Sequence, residues 1–113
     1  RKENMENLVS GTYVRNVEGS TICVPKGYRS WKQFYKSNAS WPASLTCRIY
    51  DCGSKARVGA HVQISGPIGI YIIPMCARHN NFSRVDWMTV NANTVAVPVT
   101  QKHTSGRFGV CYT

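Results

Sequence analysis

Acidic residues are scarce in this chain. Of its 113 residues five are Asp or Glu, against 14 Lys or Arg, for a formal charge of +9. Between Glu18 and Asp51 there is no acid at all, while Lys26, Arg29, Lys32, Lys36 and Arg48 lie there, interleaved with Tyr28, Trp31, Phe34, Tyr35 and Trp41. Such a stretch attracts phosphate or sulfate polymers and anionic headgroups with salt-sensitive affinity. The competing reading is a basic secreted protein whose charge serves solubility alone. Also missing is any apolar run long enough to span a bilayer. The opening RKENMENLV has neither an initiator Met nor an apolar signal core, the expectation for a processed or trimmed chain. No internal repeat, linker or low-complexity segment divides the sequence, so residues 1–113 read as one domain, large enough to bury roughly 65% of its unfolded surface.

What is present alternates short strands with turns. Thr12-Tyr13-Val14 and Thr21-Ile22-Cys23-Val24 flank a turn-like Asn16–Ser20 and read as a hairpin. Ser30-Trp31-Lys32-Gln33 has the capping-box form that satisfies orphan amides at a helix start. The helix should run from Trp31 to Ser37, with Trp31, Phe34 and Tyr35 at i, i+3 and i+4 facing the core and Arg29, Lys32 and Lys36 on the opposite side. Ala60–Ile64 alternates as a half-buried strand does, Ser65-Gly66-Pro67-Ile68-Gly69 is turn chemistry, and Ile70–Ile73 is a buried strand. Further strands are expected at Thr94–Val99, which Pro98 would place on an edge open to dimerisation, and at Arg107–Tyr112. The fold class expected is α+β: a small, mostly antiparallel β domain with one short amphipathic helix.

Five cysteines is an odd count, so at least one thiol is left for a metal, a partner or nothing. Cys47 and Cys52 bracket four residues, a hairpin follows, and Cys76-Ala77-Arg78-His79 closes the segment. Thiolate and imidazole are zinc's preferred donors, four in a tetrahedron. A knuckle would bring Cys47 and Cys52 to one Zn2+, and a helix beginning after Pro74 would put Cys76 and His79 on one face. The rival is a disulfide scheme, Cys47 with Cys76 for instance, leaving His79 an ordinary surface imidazole. Cys23 and Cys111 lie outside the segment; a disulfide between them would close nearly the whole chain, stabilise it by roughly 4–5 kcal/mol, and imply an extracytoplasmic location. Asn38-Ala39-Ser40 and Asn81-Phe82-Ser83 match the N-glycosylation sequon.

The order knuckle, hairpin, helix start resembles a treble-clef zinc site, and residues 47–84, about a third of the chain, resemble the HNH nuclease version of it. That resemblance implies that His61, in Gly59-Ala60-His61-Val62, stands at the general-base position and Asn80 at that of a helix metal ligand. Ala60 occupies the place where that family usually has an acid before the His. Read from the residues alone, the favoured expectation for His61 is a hydrogen-bonded, inert residue on the open face of a strand, and for His103 an exposed loop residue.

Three functions follow from these readings. The first is a zinc-stabilised binding or effector protein in which Lys26, Arg29, Lys32 and Lys36 meet the anionic groups of nucleic acid or an acidic glycan while Tyr28 and Trp41 stack on bases. The second is a secreted cationic defence protein or toxin stapled by disulfides. The third is a metal-dependent nuclease using His61 and Asn80. Secretion fits the basic, cysteine-containing composition, a cytoplasmic location being the alternative, and an enzyme is the less favoured reading.

Overall fold

The computed structural model describes residues 5–17, 24–81 and 83–100. Cys23, Cys111, His103 and the strand expected at Arg107–Tyr112 lie outside them. Among the described residues six strands and one helix follow in the order β1 (Glu6–Leu8), β2 (Tyr13–Asn16), α1 (Trp31–Lys36), β3 (Val58–Ile64), β4 (Ile70–Met75), β5 (Met88–Thr89) and β6 (Thr94–Val99). The strands form one sheet in the order β1-β6-β4-β3-β2-β5, with every pairing antiparallel. The architecture is therefore a small, sheet-dominated domain with one short helix. Among the described residues no helix is long and apolar enough to cross a membrane.

The β3–β4 hairpin is the centre of the sheet, with Val58 to Val62 in register with Met75 to Tyr71. Its turn holds Gly66 at φ 113° and Gly69 at φ 118°, backbone conformations that residues with a Cβ rarely adopt. Because successive side chains alternate across a strand, β3 feeds two cores. Ala60, Val62 and Ile64 join Val14, Tyr71, Ile73 and Met75 on one face. On the other, Ile70 and Ile72 of β4 meet Val97 and Val99 of β6 beneath Trp31, Phe34 and Tyr35 of α1.

The helix forms as its sequence dictates. The Ser30 side chain accepts from the Gln33 backbone N–H at 3.2 Å, and Trp31, Phe34 and Tyr35 are the buried residues. Gly59 lets the helix lie close: a Cβ there would stand 2.8 Å from the Trp31 carbonyl carbon and 2.9 Å from Ile72 Cγ2.

Three expectations need correction. No helix begins after Pro74; that residue is inside β4, opposite Gly59. Its carbonyl accepts from Arg48 N–H at 3.1 Å, so its backbone polar groups face away from β3 and the missing N–H costs no β3–β4 bond. Nor is β6 a sheet edge, since it lies between β1 and β4. Its halves pair on opposite sides, 94–96 with β1 and 97–99 with β4, and Pro98 falls in the half that β1 does not reach. Finally, β2 finds its partners far along the chain, in β3 and β5, rather than in a local hairpin; residues 21–23, the expected second arm, lie outside the described residues.

Candidate metal centre

Cys47, Cys52, Cys76 and His79 converge, with one ligand atom from each lying within 4.8 Å of all the others. The first pair comes from a knuckle. Thr46 bridges Lys55, Cys47 N–H donates to Ser54 O at 2.8 Å, and a tight turn closes through Cys52 N–H to Ile49 O at 3.1 Å. Asp51 in that turn has φ 61°, a left-handed conformation that Asp tolerates better than most residues. The backbone N–H of Ile49 points at Cys47 Sγ and that of Ser54 at Cys52 Sγ, each two residues after its cysteine. Hydrogen bonds of this kind favour thiolate over thiol.

The knuckle is sewn to the sheet rather than hung from it. Arg48 N–H donates to Pro74 O, Tyr50 N–H to Thr89 O, and Asn91 N–H to Arg48 O, at 3.1, 2.8 and 2.8 Å. The second ligand pair follows β4 directly. Residues 76–80 make one turn, closed by Asn80 N–H to Cys76 O at 3.0 Å, and it does not continue into a helix. One turn is enough to bring Cys76 Sγ and His79 Nδ1 together, at 3.3 Å.

The distances decide what the cluster fits. Zinc bonds of about 2.3 Å to sulfur and 2.0–2.1 Å to nitrogen place tetrahedral ligands about 3.8 Å apart for two sulfurs and about 3.6 Å for sulfur and nitrogen. The observed separations are 3.9 Å for Cys52 and Cys76, 3.7 Å for Cys47 and His79, and 3.3 Å for Cys76 and His79. A disulfide needs its sulfurs near 2.0 Å. All three cysteines are free thiols, which removes the expected alternative of a Cys47–Cys76 bridge.

Burial shapes the protonation of the metal-free site. It pushes the Cys47 thiol up to about 12, against the lowering effect of the Cys76 and Ile49 amides. Cys52 is also raised by burial, but the Ser54 amide and hydroxyl and the neighbouring thiols outweigh that and leave it below the ordinary value. Burial first, then Arg84 and Arg78, lower His79 and keep its ring neutral, the form that ligates.

Around the ligands stand residues that spacing did not single out. Arg78 Nη2 lies 3.6 Å from Cys52 Sγ and 3.5 Å from Ser54 Oγ. Three thiolates holding a dication would carry one net negative charge, which this guanidinium would offset. Asn16 of β2 donates through Nδ2 to the carbonyls of His79, at 2.8 Å, and Arg84, at 2.7 Å, anchoring the ligand turn from 63 residues away. Arg78 was visible in the sequence as a spacer of the Cys-x-x-His pair; nothing in the sequence pointed to Asn16.

The remaining candidates are dispersed. His61 is 5% exposed, on the α1 face of β3, with its ring edge-on to Trp31 at 4.6 Å. It is neither on an open face nor hydrogen-bonded through Nε2, which has no partner. Burial lowers its pKa to about 4. The metal cluster and the turn bearing Asn80 belong to the opposite face, so the sheet separates His61 from them. Asn80 is exposed and contributes its backbone N–H to the ligand turn.

Lys26, Tyr28, Arg29 and Lys36 are exposed around α1. Trp41 is not a bare platform: Lys32 Nζ sits 4.9 Å over its ring, and Tyr35 meets it edge-on at 5.5 Å. Tyr28 packs edge-on against Phe34 at 5.6 Å and accepts from Ser37 Oγ at 3.2 Å.

No family, no curated protein and no solved structure matches this chain. The site is therefore interpreted from its geometry alone.

Proposed function

We propose that the protein is a zinc-stabilised binding domain: Cys47, Cys52, Cys76 and His79 hold one structural Zn2+, and the basic surface around α1 contacts a polyanion. The observation that carries the metal reading is the convergence of four mostly buried donors, with three of their separations near those of a zinc tetrahedron and two of the donors in a backbone knuckle that directs N–H groups at sulfur. Four protein donors close the coordination sphere, which is the structural arrangement; a catalytic zinc keeps one position for water. Three thiolates and an imidazole suit zinc over harder cations. The order of knuckle, hairpin and ligand pair supports a treble-clef relationship, although a single turn stands where that fold has its helix.

Support for the polyanion contact is the exposure of Lys26, Arg29 and Lys36 beside a stretch free of acids. A nuclease reading gains no comparable observation, because His61 is buried under Trp31 on the far face of the sheet from the cluster.

Native mass spectrometry under non-reducing conditions tests the metal, with one zinc per chain and reduced Cys47, Cys52 and Cys76 expected. A metal-free protein with these cysteines in disulfides would overturn the reading. For the surface, retention on heparin should fall steeply with salt, and Lys32→Glu with Lys36→Glu should shift elution to lower salt. Unchanged elution would remove α1 from the contact.

A further inference from the structure

Among the described residues, α1 covers one end of the sheet face that carries it. Trp31 shields His61, but the same face continues along β3 to Gln63 and across to β2, since alternate residues of a strand share a face. Arg15 is in register with Gln63 and donates through Nε to Gln63 Oε1 at 2.8 Å. Its guanidinium carbon lies 4.7 Å from the centre of the Trp87 ring. Trp87 directly precedes β5, whose Met88 and Thr89 pair with Val14 and Tyr13. Gln63 of β3, Arg15 of β2 and Trp87, just before β5, thus form a row, and Tyr13 stands two residues from Arg15 along the same face. Both aromatic side chains are partly exposed, Tyr13 53% and Trp87 45%, with Arg15 lying over the Trp87 ring as Lys32 lies over the less exposed Trp41. Arg84, three positions before Trp87, is exposed as well.

We propose that this row is a stacking platform for single-stranded nucleic acid. The inference rests on the polyanion reading above and locates its specificity on the sheet rather than on α1. Large aromatic rings in the open on a sheet cost solubility, and each interleaved cation here can meet a phosphate. A base has a π-face to lay on Trp87 or Tyr13, which a sulfated sugar lacks, and a duplex keeps its bases stacked on each other. Arg15 is held in place by Gln63 and Trp87 before any ligand arrives, so less side-chain freedom is lost on binding. Trp87 adjoins β5, the last strand of the sheet among the described residues, which the knuckle meets at Thr89 and Val90. A net charge of +9 supplies the long-range attraction.

The test is fluorescence anisotropy with labelled oligothymidylate of about 12 nucleotides, within the range of known single-strand site sizes, compared with heparin and with a duplex of equal length. Trp87→Ala should weaken oligothymidylate about ten-fold or more, the loss of one stacked base, and leave heparin binding unchanged. Trp87→Phe should recover most of the loss. Lys32→Glu with Lys36→Glu should weaken both ligands, because it changes charge while leaving Trp87 and Tyr13 in place. Zinc content and melting temperature equal to wild type qualify each variant; should Trp87→Ala fail to fold, Tyr13→Ala serves in its place. Oligothymidylate binding untouched by Trp87→Ala or Tyr13→Ala, but lost with the lysine pair, overturns the platform and leaves the polyanion reading standing. Heparin bound without oligothymidylate does the same and points to an acidic glycan. Neither ligand bound at low salt removes both.

Discussion

The two faces of β3 are held by different physics. On one, Ala60, Val62 and Ile64 share a core with Cys47, Cys52 and Cys76, whose sulfurs receive N–H groups, a guanidinium and, in our reading, a metal ion. On the other, a six-residue helix lies on Gly59 and His61 chiefly by packing, with one hydrogen bond from the Tyr35 hydroxyl to Val95 O at 2.8 Å, and leaves His61 Nε2 without a partner. A few strong, directional bonds that form together stand against many weak contacts that fail one by one. The comparison separates what a bound metal would do from what the apolar core does unaided, because the same strand serves both. A six-residue helix is too short to persist on propensity, so the packed face depends wholly on the sheet that the other face organises.

Removing the metal should break this arrangement most severely. Cys76→Ser, or a strong chelator at neutral pH, takes away a ligand set worth far more than one side chain, and a loss of at least about 4 kcal/mol is expected out of a typical total of 5–15. Thermal unfolding with and without chelator measures it, together with colorimetric zinc release. Identical melting curves would mean that the metal face is held by its core alone. Because Cys47 holds its proton up to about 12 in the metal-free state, zinc uptake should also release protons into a weakly buffered solution.

The packed face should be exposed next, by acid. His61 has its pKa lowered to about 4 by burial, from about 6.5 when unfolded. Between these values the unfolded chain binds the extra proton, so stability falls as pH drops through that window and is fully retained above it. The accumulated loss by pH 4 is about 3 kcal/mol. Zinc loss in acid would act in the same direction, so the informative measurement is the difference between wild type and His61→Phe, which keeps a ring against Trp31 and cannot titrate. Parallel acid melting curves would show that His61 is not held neutral. Gly59→Ala should cost somewhat less, about 2 kcal/mol, because a Cβ 2.8 Å from the Trp31 backbone must push the helix outward. Its zinc stoichiometry should not change.

Much of this division was legible in the sequence, and the parts that were not share a cause. The four residues of the Cys/His cluster, the helix and its buried face, the β3–β4 hairpin and the limits of β6 follow from local chemistry: Cys and His spacing, a capping Ser, alternation, Gly-Pro turns. Pairings between distant segments do not. Nothing near Tyr13 announces β3 and β5 as its neighbours, and Pro98 reads as an edge signal because staggered pairing on opposite sides of β6 has no local signature. Pro74 suggested a helix start for the same reason, since the Arg48 amide that its carbonyl accepts lies 26 residues earlier. His61 deceived differently. Alternation correctly gave it a face opposite Ala60 and Val62, but which element covers that face is a tertiary fact.

The smallest effect asks whether the two faces are coupled at all. Ser30 accepts from the Gln33 amide at 3.2 Å, and its carbonyl accepts from Phe34 N–H at 3.0 Å. Ser30→Ala removes the side-chain bond alone and should cost about 1 kcal/mol, the ordinary worth of a helix cap. Ser30 and Cys76 share no partner and act on opposite faces, so the double variant Ser30→Ala, Cys76→Ser should lose the sum of the single losses to within about 0.5 kcal/mol. If chemical denaturation instead shows the cap costing nothing once Cys76 is gone, the helix face has already come apart with the metal face. β3 would then be transmitting the metal's hold through the sheet, and the domain would fold as one unit around its ion. Additivity would mean the reverse, a helix that docks on its own strength against a sheet that zinc closes from behind.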